Sequence, residues 1–482
     1  MDRALGFHSI DREYDVTLPV EGSIPAWLSG SLIRNGPGSF ETADGSVDHW
    51  FDGFAMLRKF SFDGGEVRYR NRFLRTDAYE AARRGEFAGG FGTGGGGLLS
   101  RLRSFLFDDP YDNTNVIAER IGDEYVALTE STRWVRFDPE TLTTLDRVEY
   151  DGDEPSGNLA CAHLHRDPWT GAVLNVETEF GRTSEYLVHE LTAPTARRHL
   201  ASISTTEPAY LHSFAATRNY VVLVEFPFVV NPLDFFRPGD GTFVERYRWE
   251  PTRGTTFHVV DRRAGEVVAA PTAAPFFAFH HVNAYEPDGG ADAPDVVLDV
   301  ETVPDAASID ALYLDELTEG FDANGGTVER FRLSFDAGGG TVDRERLYDG
   351  GTGLPTVSPA VRLREHRYVY AQRFGDPDEN WATALVKIDA DAGRADEFSR
   401  PGWFPSEPIF VPSPAARRDA DDPDAPLDAP EDEGVVLSVV LDRAAERSLL
   451  VVLDAATMEE RARAPLPHAL PFDFHGRYFP EV

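Results

Sequence analysis

The feature that most constrains this chain is a strand–turn–strand pattern that occurs seven times along its 482 residues. In each copy an apolar or alternating strand runs into a turn rich in Asp, Gly, Pro or Ala, which is typical of a β-hairpin. The turns centre on residues 63, 138, 192, 261, 336, 389 and 454, so the intervals are 75, 54, 69, 75, 53 and 65 residues. These intervals suit one four-stranded propeller blade of ~40–50 residues with a loop of variable length.

The repeat therefore predicts an all-β fold in which residues 1–482 form a single seven-bladed β-propeller, with a cap of loops and helices over the axis. A chain of this length is too long for one ordinary compact core, and a repeat architecture accounts for it without separate domains. A β-sandwich, or several small β domains, is the alternative architecture.

Four histidines lie at nearly the same distance from the turn that precedes them. His163 follows the turn at 138 by 25 residues, His212 follows that at 192 by 20, His280 follows that at 261 by 19, and His475 follows that at 454 by 21. In a propeller, a constant offset from the outer hairpin reaches the innermost strand of the next blade. We therefore expect these side chains to converge on the axis. Of the neighbours His163 and His165, only His163 is assigned to the site.

A cluster of four imidazoles predicts a metal site. Neutral imidazoles suit iron, copper, zinc and nickel, so a structural zinc site is an alternative to a catalytic one. Histidine ligands usually donate their second N–H to a carboxylate or carbonyl. Glu130 and Glu407 lie in apolar strands and need such a partner unless they face solvent at a strand edge.

The charge of the chain limits its partners and its environment. Lys+Arg is 46 and Asp+Glu is 82, so the net charge is −36, and only Lys59 and Lys387 are lysines. Nucleic-acid binding needs a basic surface, so we expect no nucleic-acid partner. A surface this acidic predicts a halophile's cytoplasmic protein, with an ordinary acidic protein as the alternative. The single cysteine, Cys161, excludes an intramolecular disulfide and a thiolate metal cluster.

Two insertions interrupt the repeat. Residues 79–108 contain a glycine run at 94–97 and then an apolar stretch with two arginines at 98–107, which predicts a membrane-facing helix or a core-packing one. Residues 414–433 are rich in Asp, Ala and Pro and predict an acidic surface loop. Residues 1–4 give no apolar signal region, and no apolar run reaches ~18 residues. We therefore expect a soluble protein whose membrane contact, if any, is peripheral, on the inner face of the cell membrane.

The histidines belong to motifs that follow one order along nearly the whole chain. These motifs lie at residues 34–37, 51–53, 129–130, 162–163, 211–214, 279–286, 405–411, 434–440 and 474–476. Together they resemble the carotenoid cleavage oxygenase family, which includes the animal β-carotene oxygenases and the retinal pigment epithelium isomerohydrolase. A haloarchaeal member of that family would combine this resemblance with the acidic composition.

The resemblance implies a seven-bladed propeller that binds Fe²⁺ through four histidines, which match His163, His212, His280 and His475. It implies that Glu130 orients His212 and that Glu407 orients His475. Thr129 matches a family residue near the open iron positions, where it shapes oxygen binding.

One position departs from the family pattern. Where the family has a third glutamate, this chain has Gly353, directly before the Leu-Pro pair at 354–355. The resemblance therefore implies that His280 lacks its carboxylate partner, and that a water, a backbone carbonyl or Glu345 replaces it. We expect this departure to bear on the affinity for iron.

The resemblance also implies an activity, namely that the iron and dioxygen cleave a C=C bond of a carotenoid or apocarotenoid into two carbonyl products. On this reading four aromatic residues are candidates for lining the substrate tunnel, with packing between blades as the alternative for each: Phe51, Phe277, Phe279 and Phe474. Retinal would be a useful product for a halophile with retinal-binding light pumps. Stilbene-cleaving relatives tend to have a lysine at the position of Thr129, so the threonine favours a polyene substrate. The alternatives are stilbene-type cleavage, a non-oxidative retinoid isomerase or hydrolase, and a carotenoid-binding protein with a structural metal.

Overall fold

The computed structural model describes residues 3–94, 111–150, 152–236, 241–288, 295–319, 325–336, 339–376, 379, 381–419 and 422–482. Within these residues the chain consists mostly of β-strands with a few short helices, which confirms the predicted all-β class. The α-helices are Asp77–Arg83, Ala307–Asp310 and Leu314–Glu319. The 3₁₀ helices are Arg3–Phe7, Trp50–Asp52, Pro232–Phe236, Val244–Arg246, Pro251–Arg253, Pro359–Val361 and Pro414–Ala416.

Six antiparallel sheets, counted over the described ranges, form the body of the protein, and neighbouring strands in each series below are hydrogen-bonded. Sheet 1 contains Asp15–Leu18, Glu66–Phe73, Phe54–Asp63, Gly30–Ser39 and Gly476–Phe479. Sheet 2 contains Thr144–Arg147, Val135–Phe137, Glu124–Leu128 and Ile117–Ile121. Sheet 3 contains Leu159–Ala160, Val173–Glu179, Ser184–Leu191 and Arg197–Thr205, with His165–Arg166 also on Val173–Glu179.

The other three sheets are larger or carry side pairings. Sheet 4 contains Ala215–Ala216, Tyr220–Glu225, Thr255–Asp261 and Glu266–Ala269, with Thr272–Ala273 also on Thr255–Asp261. Sheet 5 contains His281–Tyr285, Val296–Thr302, Gly326–Asp336, Gly339–Thr356, Tyr368–Arg373, Ala384–Asp389 and Arg394–Ser399. Sheet 6 contains Glu21–Gly22, Glu460–Pro465, Arg447–Asp454, Gly434–Asp442 and Trp403–Pro405, with Ile409–Pro412 also on Gly434–Asp442. Two short ribbons pair Phe228–Val229 with Arg248–Trp249 and Glu41–Thr42 with Gly45–Ser46.

All seven hairpins predicted from the turn pattern are present. They extend from the pairing of Phe54–Asp63 with Glu66–Phe73 to the pairing of Arg447–Asp454 with Glu460–Pro465. The 18-residue strand Gly339–Thr356 joins two of these hairpins into sheet 5, since it pairs with Gly326–Asp336 on one side and Tyr368–Arg373 on the other. The number of blades stays a prediction.

Several strands are apolar at every position because their sheet is covered on both faces by neighbouring sheets. In the strand Gly434–Asp442, Val435 and Leu437 pack with the core residues of sheet 1, whereas Val436 packs on the other face with Tyr370 of sheet 5. Alternate residues of one strand thus enter two different cores, which requires apolar side chains at successive positions. The two chain ends complete the arrangement, because Gly476–Phe479 pairs with Gly30–Ser39 and Glu21–Gly22 pairs with Glu460–Pro465.

The structure describes the two insertions to different extents. In the insertion at 79–108, residues 79–94 contain the end of the helix Asp77–Arg83 and a loop, and the predicted membrane-facing stretch at 98–107 lies outside the described residues. In the insertion at 414–433, the side chain of Asp424 bonds to Trp169, Arg218 and Arg364, so this acidic loop is held against the body of the protein. Among the described residues, no helix has the length and apolar character needed to span a bilayer.

Candidate metal centre

The four histidines that share a sequence phase meet at one point. One ring nitrogen from each of His163, His212, His280 and His475 lies within 4.8 Å of the corresponding atom of the others. The ring centroid of His163 is 4.3 Å from that of His475 and 4.8 Å from that of His212. The shared offset therefore marks a true cluster, formed by residues that are 312 positions apart at the extremes (475 − 163).

Each histidine lies at the edge strand of a different sheet. His212, His280 and His475 come shortly before the edge strands Ala215–Ala216, His281–Tyr285 and Gly476–Phe479. His163 lies between Leu159–Ala160 and His165–Arg166, two short strands that pair with the same neighbour, Val173–Glu179. The chain between them leaves the ladder, as in a β-bulge, and such irregularities re-aim a side chain. Irregular backbone at the edge strands thus points the four imidazoles at the axis.

Three of the histidines contact a buried or half-buried carboxylate through Nδ1. The distances are 2.5 Å from His212 to Oε1 of Glu130, 2.9 Å from His475 to Oε1 of Glu407, and 3.1 Å from His280 to Oε2 of Glu301. A carboxylate accepts the Nδ1 proton and so fixes both the tautomer and the orientation of the ring. The structure therefore places the predicted Glu130 and Glu407 against the predicted histidines.

The expectation that His280 lacks a carboxylate is wrong. Glu301, on the strand Val296–Thr302, fills this place, whereas Glu345 pairs with Arg332 at 2.7 Å and its side chain is 54% exposed. The sequence held a signal for it: Asp299 and Glu301 interrupt an otherwise apolar strand, and acidic residues in a buried strand need partners. Asp299 finds Arg330, and Glu301 finds His280.

Burial favours the neutral form of three of the imidazoles, those of His163, His212 and His475. It lowers the pKa of His163 far below the ordinary range and that of His475 to about 4, although Glu407 raises the latter. Burial also lowers the pKa of His212 against the opposing effect of Glu130. Since neutral imidazole is the form that binds metals, the protein presents these rings as ligands at neutral pH without first removing a proton.

The donor set fits a divalent transition metal. Nε2 of His163 lies 3.1 Å from Nε2 of His212, and Nε2 of His280 is buried with no hydrogen-bond partner within the described ranges. Because the Nδ1 atoms of His212 and His280 face carboxylates, their Nε2 atoms are unprotonated and present lone pairs to the centre of the cluster. At least two buried lone pairs therefore point toward the same centre, and a divalent cation such as iron, copper, zinc or nickel is the kind of group that they bind.

A further layer of polar residues holds the carboxylates. The Tyr210 hydroxyl donates to Oε1 of Glu130 at 2.6 Å. Arg34, which is fully buried, donates to Oε2 of Glu407 at 3.2 Å and to both oxygens of Asp473. The motif at 34–37 is thus explained: its arginine supports the carboxylate that supports His475. Neither Tyr210 nor Arg34 was assigned a role from the sequence.

A cavity of about 720 Å³ opens directly onto the cluster. Its wall includes His212, His280 and His475 together with Thr129, which follows the strand Glu124–Leu128. Three of the four aromatic residues predicted for a tunnel line it: Phe51, Phe279 and Phe474. Further rings come from loops and 3₁₀ helices, at residues that were not assigned to the tunnel from the sequence: Trp50, Phe91, Phe180, Phe235, Phe243, Phe374 and Trp381.

The fourth predicted tunnel residue, Phe277, lies elsewhere. It is fully buried and packs behind the cavity wall, with its ring 5.1 Å from that of Phe279 and 5.5 Å from that of Phe226. Its backbone exchanges hydrogen bonds with Val303, and this pairing turns the side chain into the core of sheets 4 and 5. For Phe277 the alternative of ordinary packing applies.

Comparisons with known proteins find relatives that match nearly the whole chain. The profile of the retinal pigment epithelial membrane protein family matches residues 7–480. The β,β-carotene 15,15′-dioxygenase of Gallus gallus is 32% identical, covering 96% of this chain and 95% of the relative. The chloroplastic carotenoid cleavage dioxygenase 8 of Arabidopsis thaliana is 30% identical, covering 98% and 85%.

Solved structures match equally well. A variant of the Synechocystis apocarotenoid oxygenase superimposes with a TM-score of 0.83 at 28% identity and covers 99% of this chain and 98% of that one. The cobalt-substituted Synechocystis oxygenase gives a TM-score of 0.82 at 27% identity with the same coverage. The chain therefore belongs to the retinal pigment epithelial membrane protein family, the group of carotenoid cleavage oxygenases that its motifs resemble.

Proposed function

We propose that this protein is an Fe(II)-dependent dioxygenase that cleaves a C=C bond of a carotenoid or apocarotenoid into two carbonyl products. The observation that carries the proposal is the cluster of four histidines, three of which lie in the wall of a cavity that is rich in aromatic rings. Relatives named as carotenoid dioxygenases at 30–32% identity over nearly the whole chain support the substrate class. Retinal is a proposed product, since the Gallus gallus relative is named for cleavage at the 15,15′ bond of β,β-carotene.

His163, His212, His280 and His475 would hold the iron, which when bound supplies the activation of dioxygen. The remaining contributions come from the chain itself. The aromatic wall excludes water and aligns an extended polyene, and such positioning accounts for much of the rate in reactions between two bound reactants. Phe51, Phe279 and Phe474 present π-faces that stabilise positive charge on the polyene. Thr129 is the proposed residue beside the open face of the cluster, where its small side chain leaves room for oxygen.

The acidic composition supports a further proposal on environment. At −36 the chain repels itself at low ionic strength, so we propose that it works in the cytoplasm of a halophile at high salt. Peripheral membrane contact is proposed at the cavity side, where Leu233 is 70% exposed beside Phe235 of the cavity wall. A carotenoid substrate dissolves in membranes rather than water, so a short path from bilayer to cavity is an advantage.

The decisive experiment is anaerobic purification with Fe(II) in high salt, followed by incubation with β-carotene and apocarotenals under ¹⁸O₂. Aldehydes or ketones that carry the label, detected by mass spectrometry, would establish oxidative cleavage, and their lengths would identify the bond. Products without added oxygen would instead indicate an isomerase or hydrolase. Tight pigment binding without turnover would indicate a binding protein, and cleavage of stilbenes alone would reject the polyene substrate.

The variant His212→Ala tests the metal site directly. The variant removes one of four ligands and leaves Glu130 with Tyr210 as its remaining partner, so we expect loss of bound iron and of activity. His165→Gln is the matched control, because His165 lies near the cluster but bonds to the carbonyl of Phe214 at 2.7 Å. Iron and activity retained in His212→Ala, or lost equally in the control, would reject the four-histidine site.

A further inference from the structure

The contact between Glu301 and His280 is fixed by the backbone. Glu301 donates its amide N–H to the carbonyl of His280 at 3.0 Å, so the two residues are held face to face at the start of sheet 5. Their side chains then meet on the cavity side of this pairing, with Oε2 of Glu301 3.1 Å from Nδ1 of His280. Both side chains are nearly buried, at 8% and 13% exposure. A hydrogen bond to a carboxylate is strengthened in such a setting, because the local polarity is low.

Space for the Glu301 side chain comes from a glycine on the neighbouring strand. A Cβ on Gly326 would lie 2.5 Å from Cγ of Glu301, a separation that real side chains do not adopt. Gly326 is therefore needed at this point so that the carboxylate can turn toward His280. The pairing of Gly326 with Thr352 places the next residue, Gly353, at the same end of sheet 5, where it also lines the cavity.

At residue 353, by contrast, no room is left for a carboxylate. A Cβ on Gly353 would lie 2.5 Å from Cε2 of Phe374 and 3.2 Å from Oε1 of Gln372. The Phe374 ring is part of the cavity wall and packs on Trp381 at 5.9 Å. The aromatic wall thus occupies the space that a side chain at 353 would need, while the glutamate reaches His280 from a different strand.

We propose that Glu301 is the positioning residue of His280, and that it takes over the task of a carboxylate at 353. Its carboxylate holds the Nδ1 proton of His280 and aims Nε2 at the centre of the cluster. With Glu301 in this role, Phe374 can complete the aromatic wall of the cavity onto which the histidine cluster opens. This inference rests on the proposed iron site, because a positioning residue has a function only if His280 binds a metal.

The test compares three variants by their affinity for Fe(II), measured by anaerobic competition with a chelator. Loss of a carboxylate that orients a histidine ligand costs 10–100-fold in metal affinity in comparable sites. We therefore expect Glu301→Ala to weaken iron binding by about 10–100-fold. Glu301→Gln should lie between this variant and the wild type, because its amide oxygen accepts the proton without the charge.

Glu329→Gln is the matched control. Glu329 is a buried glutamate on the adjacent strand, where it accepts hydrogen bonds from Thr302 and Arg344 and contacts no histidine of the cluster. Glu329→Gln therefore also removes a buried carboxylate, but it leaves the support of His280 intact. We expect this variant to bind iron with wild-type affinity.

A spectroscopic measurement separates positioning from general loosening of the fold. In the Co(II)-loaded proteins, the visible ligand-field bands should shift in Glu301→Ala and stay unchanged in Glu329→Gln, because only the first variant releases His280. Iron affinity within about twofold of wild type in both Glu301 variants, with unshifted bands, would overturn the inference and leave the proposed function standing. A wild-type protein that binds no iron would overturn both.

Discussion

Two aspartates of this protein each meet two arginines, and they differ chiefly in where they lie. Asp473 stands behind the metal centre, where its side chain is 3% exposed. Asp15 stands on the outer edge of sheet 1, where its side chain is 40% exposed. The shortest nitrogen–oxygen distance is 2.6 Å in both clusters. From these distances alone, the two clusters would be expected to contribute equally to the free energy of unfolding. They differ in burial, and burial decides how much each one contributes.

The pKa values of the two carboxyls show the difference. At Asp15 the hydrogen bond from Arg68 lowers the pKa, and solvent screens what remains. At Asp473, burial raises the pKa, and Arg34 together with Arg58 more than offsets this so that the pKa lies below its ordinary value. The buried carboxylate therefore stays charged only because its partners are present. If the carboxylate or its arginine partners are removed, the charge that remains is buried away from water without full compensation.

The buried cluster also has a task that the surface cluster lacks. Arg34 contacts Asp473 and Glu407 at once, and Glu407 bonds to His475. Asp473 lies two residues before His475 in sequence, so the same segment carries the ligand and its outer support. Burying an ionic group costs free energy because the charges lose their contact with water. Here the buried group fixes the orientation of a histidine of the cluster. We therefore expect changes in this cluster to affect stability and iron binding together.

The largest expected effect is that of Asp473→Asn. It leaves Arg58 buried without its counter-charge and Arg34 with Glu407 alone, so we expect a loss of about 3–5 kcal/mol in the free energy of unfolding. Asp15→Asn, which faces the same number of arginines on the surface, should cost about 1 kcal/mol or less. Urea unfolding followed by tryptophan fluorescence measures both. Equal losses in the two variants would show that burial is not the deciding factor.

The next largest effect concerns a buried histidine outside the cluster, His49. Its Nδ1 accepts the N–H of Phe51 at 3.1 Å and its Nε2 donates to the carbonyl of Ile309 at 3.2 Å, so a second proton would point at an N–H donor. Burial lowers the pKa of His49 from 6.5 to about 4. As the pH falls, the unfolded chain takes up this proton first, so the stabilisation is complete above pH 6.5 and is lost between pH 6.5 and 4.

At pH 5 the loss attributable to His49 is about 2 kcal/mol. His49→Asn keeps an acceptor for the Phe51 N–H without a titrating group, so its free energy of unfolding should fall less between pH 7 and pH 5 than that of the wild type. Urea unfolding of both proteins at the two pH values, under the same metal conditions, gives the comparison. Identical pH dependence in the two proteins would contradict the assignment to His49.

Some features of the fold and of the site could be predicted from the sequence, and others could not. The seven hairpins were predictable because each depends on a few adjacent turn residues between apolar strands. The four histidines were predictable because one offset recurs in a repeating fold. Glu130 and Glu407 followed from family motifs. In each case the information lies within a short stretch or within a repeat, where chain distance and spatial distance are related.

Contacts between strands that are far apart in the chain were not predictable in the same way. Phe277 and Phe279 are two residues apart beside the same histidine, yet one packs into the core and the other lines the cavity, because Val303 pairs with the first. Glu301 reaches His280 only because Gly326 leaves space on the neighbouring strand. Both outcomes depend on the register between strands, which spacing along one strand does not contain.

The smallest expected effect is on the surface, at Asp424 of the acidic loop. Its carboxylate accepts from Trp169 at 2.8 Å and from Arg218 and Arg364 at 3.2 Å, so it meets two arginines as the buried Asp473 does, but its side chain is 50% exposed. We expect Asp424→Asn to lower the unfolding midpoint by about 1 °C or less at roughly 0.05 M salt and by nothing measurable at about 1 M, where screening acts over ~3 Å. Differential scanning calorimetry across a salt series tests this. Asparagine keeps an oxygen that accepts from Trp169, so the variant removes only the charge. An effect that persists at the higher salt would mean that salt does not screen the ion pairs of this exposed carboxylate, and that it behaves like the buried one behind His475.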